Sequence, residues 1–544
     1  MRRLRRVISL LIFRVLPVLL VVGILWFGWQ AVQSIGRVIG EQNVYQQRVG
    51  GYAATATALV PTAGTPNVYK PSDWLMSNRV QVVDQAFVTN TPRPDGQPLA
   101  TNTPLPTSTP EAPDAVGATA TLPAPVDGGP LPTILFADSA AEGLTYNGTA
   151  VPTSVPAIDR KYNLTNILLL GQDNEITGES LARTDTMIVL SINNDTGTVN
   201  MLTLPRDLYV YFPNGTMGRL NVGFGLGENI GWTGGGFFFM RQTLLYNLGI
   251  NGHYYALVDL SGFAEAIDIL GGVDLAVDCA IQDLPLIGAE VPKDAVKFND
   301  EGFYVLPVGY YSMTGKEALW YARSRHNSDD FDRGRRQQVI LRAAWRKAKE
   351  NGLLTQLPQL WSKGTEIIKT DIGFNEMVSL LPLALSLNPN QIQHLRLIRT
   401  YHTTPWQTPD GDYVQIPNPE PIFDLMTDFY TPPTLNQVAV DAAQIRVLNG
   451  TTNANWDRVA AERLLWDSMG AFAEGTADKT DYPSTMIIDY TGETKGSSLK
   501  DIAQVLNVKP ENIIRQPDPN RTADFEVIIG ADYNSCTFAV LPPQ

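Results

Sequence analysis

The sequence predicts an α/β protein with a mixed central sheet flanked by helices, a small C-terminal α/β domain and one N-terminal transmembrane helix. Three observations predict it. Strand-like runs alternate with helical patterns over residues 159–400, and a shorter alternation follows over residues 441–540. An uncharged apolar run occupies residues 15–32. Alternating strands and helices are typical of α/β domains, and 544 residues are enough for each domain to bury its own core.

The N-terminal apolar run has the length and the flanking charge of a membrane anchor. Its residues, 15–32, can cross a bilayer core of about 30 Å as a helix. The arginines that precede it are Arg2, Arg3, Arg5, Arg6 and Arg14. Because an arginine-rich flank stays in the cytoplasm, we expect residues 1–14 inside and the rest outside the plasma membrane. A cleaved signal peptide is the alternative, but its apolar region is usually about 7 to 15 residues long and ends at a small-residue site.

Residues 33–158 are interpreted as an extracytoplasmic stalk. Within them, residues 88–130 are rich in Pro, Thr, Ala and Gly, a composition that cannot bury a core. We expect an extended spacer, partly polyproline II, which lifts the next domain away from the bilayer.

The main domain, predicted at residues 159–400, opens with three buried strands. They are NILLLG (166–171), TMIVLSI (186–192) and VNMLTL (199–204), and NNDTG between the last two has the composition of a hairpin turn. Helices follow at 237–247, at 263–270 after the candidate N-cap Ser261, from Gly315 with Thr314 and Glu317 in capping-box spacing, and at 333–349 after the candidate N-cap Asp332. Two more helices and the strand HLRLI (394–398) complete the domain.

A Pro-rich linker is expected at residues 401–440, where PNPEP and TPP occur. The small domain at 441–540 then alternates strands and helices. Its predicted elements are the strands 445–450, 486–490 and 525–530 and the helices 455–469 and 498–506.

Composition excludes several functions. The net charge of -14 disfavours nucleic-acid binding, which needs a basic surface. Cys279 and Cys536 fall in different predicted domains, and there is neither a CxxC pair nor a histidine cluster. We therefore expect two packed thiols rather than a zinc site or a disulfide.

Two aspartates stand at the ends of neighbouring strand segments. Asp173 follows the first strand and Asp185 precedes the second. If these strands pair, both carboxylates lie at one edge of the sheet, where carboxylates together with phosphate oxygens and water would suit Mg²⁺. The alternative for either residue is a turn or cap position.

Arginines adjoin the same element boundaries. They are Arg183, Arg206, Arg323, Arg325 and Arg333. The planar guanidinium group matches phosphate in a bidentate manner. A single arginine is more often part of a surface ion pair, but a set of this size in an acidic protein indicates a bound polyanion.

The last long helix of the main domain has a face that changes from polar to apolar. Arg333, Gln337, Ile340 and Ala344 share this face, which suits a charged head with an apolar tail. Phe263, Ile267 and Leu270 form a similar apolar stripe on another helix, although such a stripe most often packs in a core.

Seven motifs together resemble the LytR-CpsA-Psr family. In chain order they are NILLLGQD, ARTDTMIV, TLPRDLYV, GRLN, DLSGFAEAIDILGGVDL, GYYSMTGKEALWYARSRH and DDFDRGRRQQ. Each motif is short, but their combination and order are specific. The tail, from IRVLNGTTNANWDRVAAERL to DFEVIIGADY, resembles the small C-terminal domain of LytR-type members.

The resemblance implies a membrane-bound, Mg²⁺-dependent phosphotransferase that moves a glycopolymer phosphate from a polyprenyl pyrophosphate carrier to a cell-wall acceptor such as peptidoglycan. Asp173 and Asp185 match the metal ligands. The pyrophosphate-binding positions are Arg183, Arg206, Arg323, Arg325, Arg333 and Gln337, and all of these arginines except Arg333 join Asp185 in the implied catalytic set. The supporting positions are Asp207, Arg219 and Asp330.

The sequence departs from the family pattern in two places, and other functions stay open. GQDN replaces a GTD-like motif, and GFGLGENIGWTGGG follows Arg219 where an Ala/Tyr-rich helix start is common. The second difference leaves the acceptor side undefined. A lipid-pyrophosphate hydrolase would use the same site with water as nucleophile. A non-catalytic regulator is the third possibility, since the family has been described as transcriptional attenuators.

Overall fold

The computed structural model describes residues 145–146, 148–152, 154–155, 162–173, 183–432, 443–492 and 494–536. The predicted membrane helix at 15–32, and most of the predicted stalk, lie outside these residues. Within the part of the chain that is described, no helix is long and apolar enough to span a bilayer.

Strands and helices are numbered in chain order. The first group comprises β1 (Thr145–Tyr146), β2 (Thr149–Ala150), β3 (Leu164–Gln172), β4 (Thr184–Asn193), β5 (Thr198–Thr203), β6 (Tyr209–Tyr211), β7 (Met217–Arg219), α1 (Gly223–Asn229), α2 (Gly235–Leu248), β8 (Tyr254–Asp259), α3 (Leu260–Ile269), β9 (Val273–Val277), β10 (Ile281–Asp283), β11 (Val296–Lys297), β12 (Tyr304–Leu306) and β13 (Gly309–Met313). The second group comprises α4 (Gly315–Arg323), α5 (Asp330–Glu350), α6 (Leu353–Ile367), β14 (Lys369–Thr370), α7 (Phe374–Ser386), β15 (Ile392–Arg396), β16 (Thr403–Gln407), β17 (Tyr413–Pro417), α8 (Pro419–Phe429), β18 (Gln444–Asn449), α9 (Trp456–Trp466), β19 (Gly470–Thr476), β20 (Met486–Asp489), α10 (Gly496–Val505), β21 (Ile513–Arg515) and β22 (Phe525–Ile529).

The predicted mixed central sheet is confirmed. Its six strands have the order β14-β8-β3-β4-β5-β15. The β3-β4-β5 meander is antiparallel, whereas β8 pairs with β3 and β15 with β5 in parallel. The expected turn joins β4 to β5 and contains Gly197 at φ +69°, a left-handed conformation that favours glycine.

Helices cover both faces of this sheet, as the alternation of side chains along β3 requires. Leu168 and Leu170 pack on the face that also buries residues of α2 and α8. Ile167 packs on the other face, against residues of α5 and α7. The sheet therefore has two buried faces, which explains its nearly continuous apolar strands.

Part of the expected linker at 401–440 is folded. Residues 403–417 form the antiparallel hairpin β16–β17, and α8 follows it. Pro419 starts α8 rather than preventing it, because the first helical residue needs no intrahelical N–H bond. Ile422, Leu425 and Phe429 of this helix are buried in the main core.

The helix caps agree with the sequence in one case and differ in two. The capping box of Thr314 and Glu317 is present at the start of α4. At α3 the N-cap is Asp259 rather than Ser261, since its carboxylate accepts the Gly262 N–H at 2.7 Å. At α5 the N-cap is Asp329, whose side chain accepts the N–H of Asp332 at 2.8 Å. Both helices therefore begin earlier than predicted.

A five-stranded sheet near the C-terminus has the order β19-β18-β22-β20-β21. The predicted strands at 445–450, 486–490 and 525–530 correspond to β18, β20 and β22, whereas β19 and β21 had no clear periodicity. Together with α9 and α10, this sheet buries its own core. Its resemblance to a LytR-type domain remains a prediction.

The expectation of two unpaired thiols is wrong: Cys279 and Cys536 form a disulfide, with their Cα atoms 4.6 Å apart. The partners are 257 residues apart in sequence, and they meet because the C-terminal sheet unit packs against the main domain. In that contact Glu462 of α9 binds both Arg342 and Arg346 of α5. The Trp466 ring stacks on the His394 ring, with the two ring centroids 4.3 Å apart. Local sequence patterns do not report such long-range packing.

The free energy of unfolding should depend on pH through the carboxyl of Asp371, which follows β14. This carboxyl accepts the Tyr255 N–H at 2.8 Å, and burial raises its pKa to about 7 from an ordinary value of 3.8. Because the folded-state pKa is raised, this group's contribution to stability is fully present below its unfolded pKa and is lost as the pH rises through about 7. We expect Asp371→Asn to increase the free energy of unfolding, with a gain about 3 kcal/mol larger at pH 8 than at pH 4.

Urea denaturation of wild type and Asp371→Asn at the two pH values measures this difference. Asp300→Asn, which removes a fully exposed carboxylate, is the control for the loss of charge. An equal gain at both pH values would contradict the assignment.

Candidate functional site

A cavity of about 640 Å³ lies between the central sheet and the helices α3, α4 and α5. Strands β3, β4 and β8 supply one wall, and the helices supply the others. One end is lined by charged side chains and most of the remainder by aliphatic ones. The cavity therefore has a polar mouth and an apolar body.

The polar-to-apolar face of α5 lines this cavity along its length. Arg333, Gln337, Ile340 and Ala344 all contribute to the lining, as the helical period predicts. The opposite stripe, formed by Phe263 and Ile267 of α3 and by Leu270 directly after that helix, lines the cavity as well, although core packing is the commoner use of such a stripe. Further apolar lining residues, which the sequence did not single out, are Leu169, Ile188, Ala256, Val258, Leu286 and Leu319.

The two predicted metal ligands lie at the mouth. Strands β3 and β4 are antiparallel neighbours, so the end of β3 and the start of β4 lie at one edge of the sheet. Gly171 pairs with Thr186 and Gln172 with Thr184, so Asp185 stands at an irregularity of the pairing next to the end of β3. Asp173 and Asp185 both line the cavity, and they are close enough that the charge of Asp185 adds to burial in raising the pKa of Asp173. The sequence analysis placed both carboxylates at one edge of the sheet if their strands pair, and β3 and β4 do pair.

Asp185 is held by donors on both of its carboxylate oxygens. Oδ2 accepts from Arg206 Nη1 at 2.8 Å and Oδ1 from Asn221 Nδ2 at 2.9 Å. Its backbone carbonyl accepts from Arg333 Nη2 at 3.1 Å. Burial alone would raise the pKa of Asp185, but Arg206, Asn221 and Arg333 outweigh it and lower that pKa below the ordinary value. The carboxylate is therefore ionised in a partly buried position.

Asp173 has the opposite tendency. Burial and the neighbouring charge of Asp185 raise its pKa, and Arg183 and Arg323 only partly compensate. Its Oδ1 is buried and has no hydrogen-bond partner among the described residues. A cation between the two carboxylates would relieve both costs, so the donor set fits Mg²⁺. No cluster of three or more Asp, Glu, His or Cys residues suited to a metal occurs in the described ranges.

Asp330, at the start of α5, connects three of the arginines. Its Oδ2 accepts from Arg206 Nε at 2.9 Å, while Oδ1 lies 3.6 Å from Arg325 Nη1 and 3.5 Å from Arg333 Nη2. Burial would raise its pKa, but Arg333 and Arg206 lower it. Asp207 lies 3.5 Å from Arg206 Nε. We call the set Asp185, Arg206, Asp207, Arg325, Asp330 and Arg333 the ion-pair network.

The arginines differ in how they face the cavity. Arg323, Arg325 and Arg333 line it directly, and Arg323 also donates to the Ile287 carbonyl at 2.6 Å. Arg206 lies behind them, with three carboxylates around its guanidinium. Arg183 acts on the site through its charge, which offsets part of the rise that burial and Asp185 cause in the pKa of Asp173. The predicted cations therefore surround one location, some at the surface of the cavity and some beneath it.

Of the two remaining predicted residues, Arg219 lies away from the cavity and Gln337 lines it. Arg219 lies 3.7 Å from Asp207 and donates to Asp412 at 3.0 Å, so it connects the ion-pair network to the turn between β16 and β17. Gln337 lines the cavity, and its side-chain amide donates to the Ala322 carbonyl at 3.4 Å.

Sequence reasoning missed the roles of three polar residues. Asn221 orients Asp185, and Asp283 accepts the Arg325 N–H at 2.7 Å while lining the cavity. Asp332 binds Arg335 and Arg336, which lower its pKa to about 2 although burial opposes them. Only the last had a local signal, the i,i+3 and i,i+4 spacing in DDFDRGRR; the others depend on distant contacts.

Comparison with known proteins identifies similar chains. A curated relative from Oceanobacillus iheyensis, polyisoprenyl-teichoic acid–peptidoglycan teichoic acid transferase TagU, is 32% identical over 218 residues, which are 40% of this chain and 61% of that one. The regulatory protein MsrR of Staphylococcus aureus is 31% identical over 196 residues, 36% of this chain and 52% of that one. The crystal structure of TagV from B. subtilis is 23% identical, with a TM-score of 0.39 over 51% of this chain and 100% of that chain.

The match thus spans between half and two thirds of the length of the two curated relatives. The model of the LytR_cpsA_psr family matches residues 137–426. This region is more than half of the 544 residues and contains the cavity, the two metal-ligand candidates and the ion-pair network. The chain belongs to the LytR-CpsA-Psr family.

Proposed function

We propose that this protein is a Mg²⁺-dependent phosphotransferase that moves a glycopolymer phosphate from a polyprenyl pyrophosphate carrier to a cell-wall acceptor such as peptidoglycan. The observation that carries the proposal is a single cavity with an arginine-rich mouth and an aliphatic body. A lipid pyrophosphate has the same two parts, a polyanionic head and a long apolar chain. The name of the Oceanobacillus relative, a teichoic acid transferase that uses a polyisoprenyl carrier, supports this proposal.

The arginines at the mouth would hold the pyrophosphate. Arg323, Arg325 and Arg333 present guanidinium groups to the cavity, and such groups bind phosphate oxygens in pairs. Asp330 fixes two of them before a ligand arrives, so little reorganisation is needed when negative charge builds up. The Gln337 amide adds a neutral donor at the same end.

The two aspartates would hold the metal. Asp173 and Asp185 both line the cavity at the paired ends of β3 and β4, and the unpartnered Asp173 oxygen supports their assignment as ligands. When bound, Mg²⁺ would neutralise charge on the pyrophosphate oxygens. Phosphate and water oxygens would complete its coordination.

The proposed reaction is a phosphoryl transfer. A hydroxyl of the acceptor sugar attacks the phosphorus that carries the glycan, and the new O–P bond replaces the bond to the leaving polyprenyl phosphate. The hydroxyl proton passes to a carboxylate of the site. Positioning and electrostatic stabilisation by the arginines supply most of the acceleration.

The disulfide supports the predicted location outside the plasma membrane. Cys279–Cys536 joins two parts of the folded chain, and stable disulfides of this kind form mainly in oxidising compartments. A single-pass anchor at residues 15–32 remains the prediction from the sequence.

The test is a reconstituted transfer with the full-length protein in detergent, a synthetic polyprenyl pyrophosphate-linked glycan, peptidoglycan fragments and Mg²⁺. Transfer leaves the glycan phosphate bound covalently to the fragments and releases polyprenyl phosphate. Soluble phosphorylated glycan instead would identify a hydrolase. Lipid binding without either product would favour a non-catalytic role, in line with the name of the relative MsrR.

The apolar body of the cavity predicts discrimination by chain length. Ala344 lies eleven residues after Arg333 on α5, about 16 Å along the helix axis. We expect Ala344→Trp to weaken the binding of a long-chain polyprenyl pyrophosphate by at least about 10-fold, because the indole excludes a few methylene groups. Geranyl pyrophosphate, whose tail is too short to reach Ala344, should bind as to wild type.

Competition binding with the two lipids measures this effect. Glu350→Trp places the same indole at the exposed end of α5 and is the matched control. Equal loss of affinity for both lipids in Ala344→Trp would indicate that the chain does not occupy this part of the cavity.

A further inference from the structure

We propose that a second, acidic cavity binds a neutral saccharide of the acceptor, so that acceptor and carrier occupy opposite sides of the ion-pair network. This inference rests on the proposed function and names its acceptor site. The second cavity has a volume of about 270 Å³, and its lining includes Asp207, Asp330, Arg399, Trp406 and Tyr413. It does not share the apolar body of the first cavity.

The wall of the second cavity is fixed to the site. Hairpin β16–β17 is held to the segment after β5 by the bond from Gln415 N–H to the Asp207 carbonyl at 2.8 Å and by a bridge between Leu208 and Gln415. At the tip of the hairpin, Asp412 accepts from Arg219 at 3.0 Å. The aromatic side chains of the hairpin are therefore carried on a rigid element beside the network.

The network separates the two cavities by one layer of ion pairs. Asp330 lines the second cavity and binds Arg206 at 2.9 Å. Arg206 binds Asp185 at 2.8 Å, and Asp185 lines the first cavity. A ligand in the second cavity would thus lie next to the groups that hold the phosphates of a ligand in the first.

The two cavities differ in the balance of their charged side chains. Three arginines line the first cavity together with four aspartates, whereas the lining of the second has Arg399 beside the carboxylates of Asp207, Asp329 and Asp330. Asp330 and Asp329 already accept from Arg206 and from the Asp332 N–H, respectively, and the remaining lone pairs of these carboxylates can accept from sugar hydroxyls but not from an ionised phosphate, which has no donor. The lining of the second cavity therefore suits an uncharged polyhydroxyl ligand better than a phosphate.

Two aromatic rings complete the match to a sugar. Tyr413 is 72% exposed. Trp406 is half-buried, and its ring lies beside that of Tyr209, with the centroids 5.9 Å apart. The face of an aromatic ring carries negative potential and packs against the C–H groups of a pyranose face. A saccharide is recognised by aromatic rings, which pack on its C–H face, together with carboxylates, which accept hydrogen bonds from its hydroxyls.

Tyr413→Ala in the full-length protein tests the proposal, because an exposed side chain can be removed without disturbing the core. The probe is chitotetraose, a neutral oligosaccharide of N-acetylglucosamine, and binding is measured by calorimetry. We expect Kd to rise at least about 10-fold in Tyr413→Ala and to change little in Tyr413→Phe, which keeps the ring. Tyr401→Ala, which removes a tyrosine that is 57% exposed and lies outside the cavity, is the matched control.

Long-chain polyprenyl pyrophosphate binding should be unchanged in Tyr413→Ala, and KM for the acceptor should rise while kcat at saturating acceptor is retained. Chitotetraose binding that is equal in wild type and Tyr413→Ala would overturn the inference. So would wild type that binds a cationic peptide at this cavity but no saccharide. Wild type that binds chitotetraose but no polyprenyl pyrophosphate would overturn the proposed function and leave the saccharide site standing.

Discussion

Asp185→Asn should lower kcat for glycan transfer by about 10³-fold while the protein stays folded. The substitution keeps the size of the side chain but removes the charge that faces Arg206 and, in the proposed function, one of two carboxylate ligands of the metal. Removing one preorganised electrostatic group from an active site commonly costs about 10² to 10³-fold in kcat. The higher value is expected because Asp185 serves both the arginines and the metal.

Initial rates in the reconstituted transfer, with Mg²⁺ varied, measure this loss. Wild type should lose activity on chelation, whereas the residual rate of Asp185→Asn should depend weakly on Mg²⁺. Asp424→Asn, an exposed aspartate on α8, is the control for a neutralised surface charge. If chelation leaves the rate of the wild-type protein unchanged, the metal has no part in the mechanism. If Asp185→Asn transfers glycan as fast as wild type, Asp185 has no part in it.

The parts of the fold that the sequence predicted are those that local patterns determine. The apolar runs of β3, β4 and β5 and the turn at Gly197 follow from composition and period. The approach of Asp173 to Asp185 follows from the antiparallel pairing of β3 and β4, since residues that end one strand and begin its neighbour share an edge. The cavity-lining face of α5 follows from the helical period.

The parts that could not be predicted depend on contacts between distant segments. Periodicity shows that one face of α3 is apolar, but not that Phe263 meets a cavity rather than a filled core. Asp207 is adjacent to Arg206 in sequence, but the other two carboxylates around that arginine, Asp185 and Asp330, come from distant segments and have no local signature. Prolines in the segment 401–440 suggested a linker, although Pro419 is compatible with the first turn of α8.

Helix α5 connects the site to the C-terminal sheet unit. One face of the helix lines the cavity through Arg333, Gln337, Ile340 and Ala344. Another face carries Arg342 and Arg346, which bind the buried Glu462 of α9. Because α5 makes both contacts, loss of its ion pairs with Glu462 would act on the helix that shapes the cavity.

The Cys279–Cys536 disulfide should contribute most of the unfolding free energy that holds the C-terminal sheet unit against the main domain. Cross-linking Cys279 to Cys536 closes a loop of 257 residues, and the entropy removed from the unfolded chain corresponds to about 5 kcal/mol. We expect the double variant Cys279→Ser/Cys536→Ser to lose about 3 to 5 kcal/mol of unfolding free energy, the lower value applying if the unfolded chain keeps some structure.

Denaturant titration with and without a thiol reductant tests this expectation. Reduction should bring the wild-type midpoint close to that of the double variant, whereas reduction of the variant should change nothing, because the chain contains no cysteines besides these two. Equal midpoints for oxidised and reduced wild type would mean that packing around Glu462 and Trp466 is sufficient to hold α9 against α5. In that case the disulfide would constrain the unfolded chain far less than its loop length implies, as occurs when an unfolded chain stays compact.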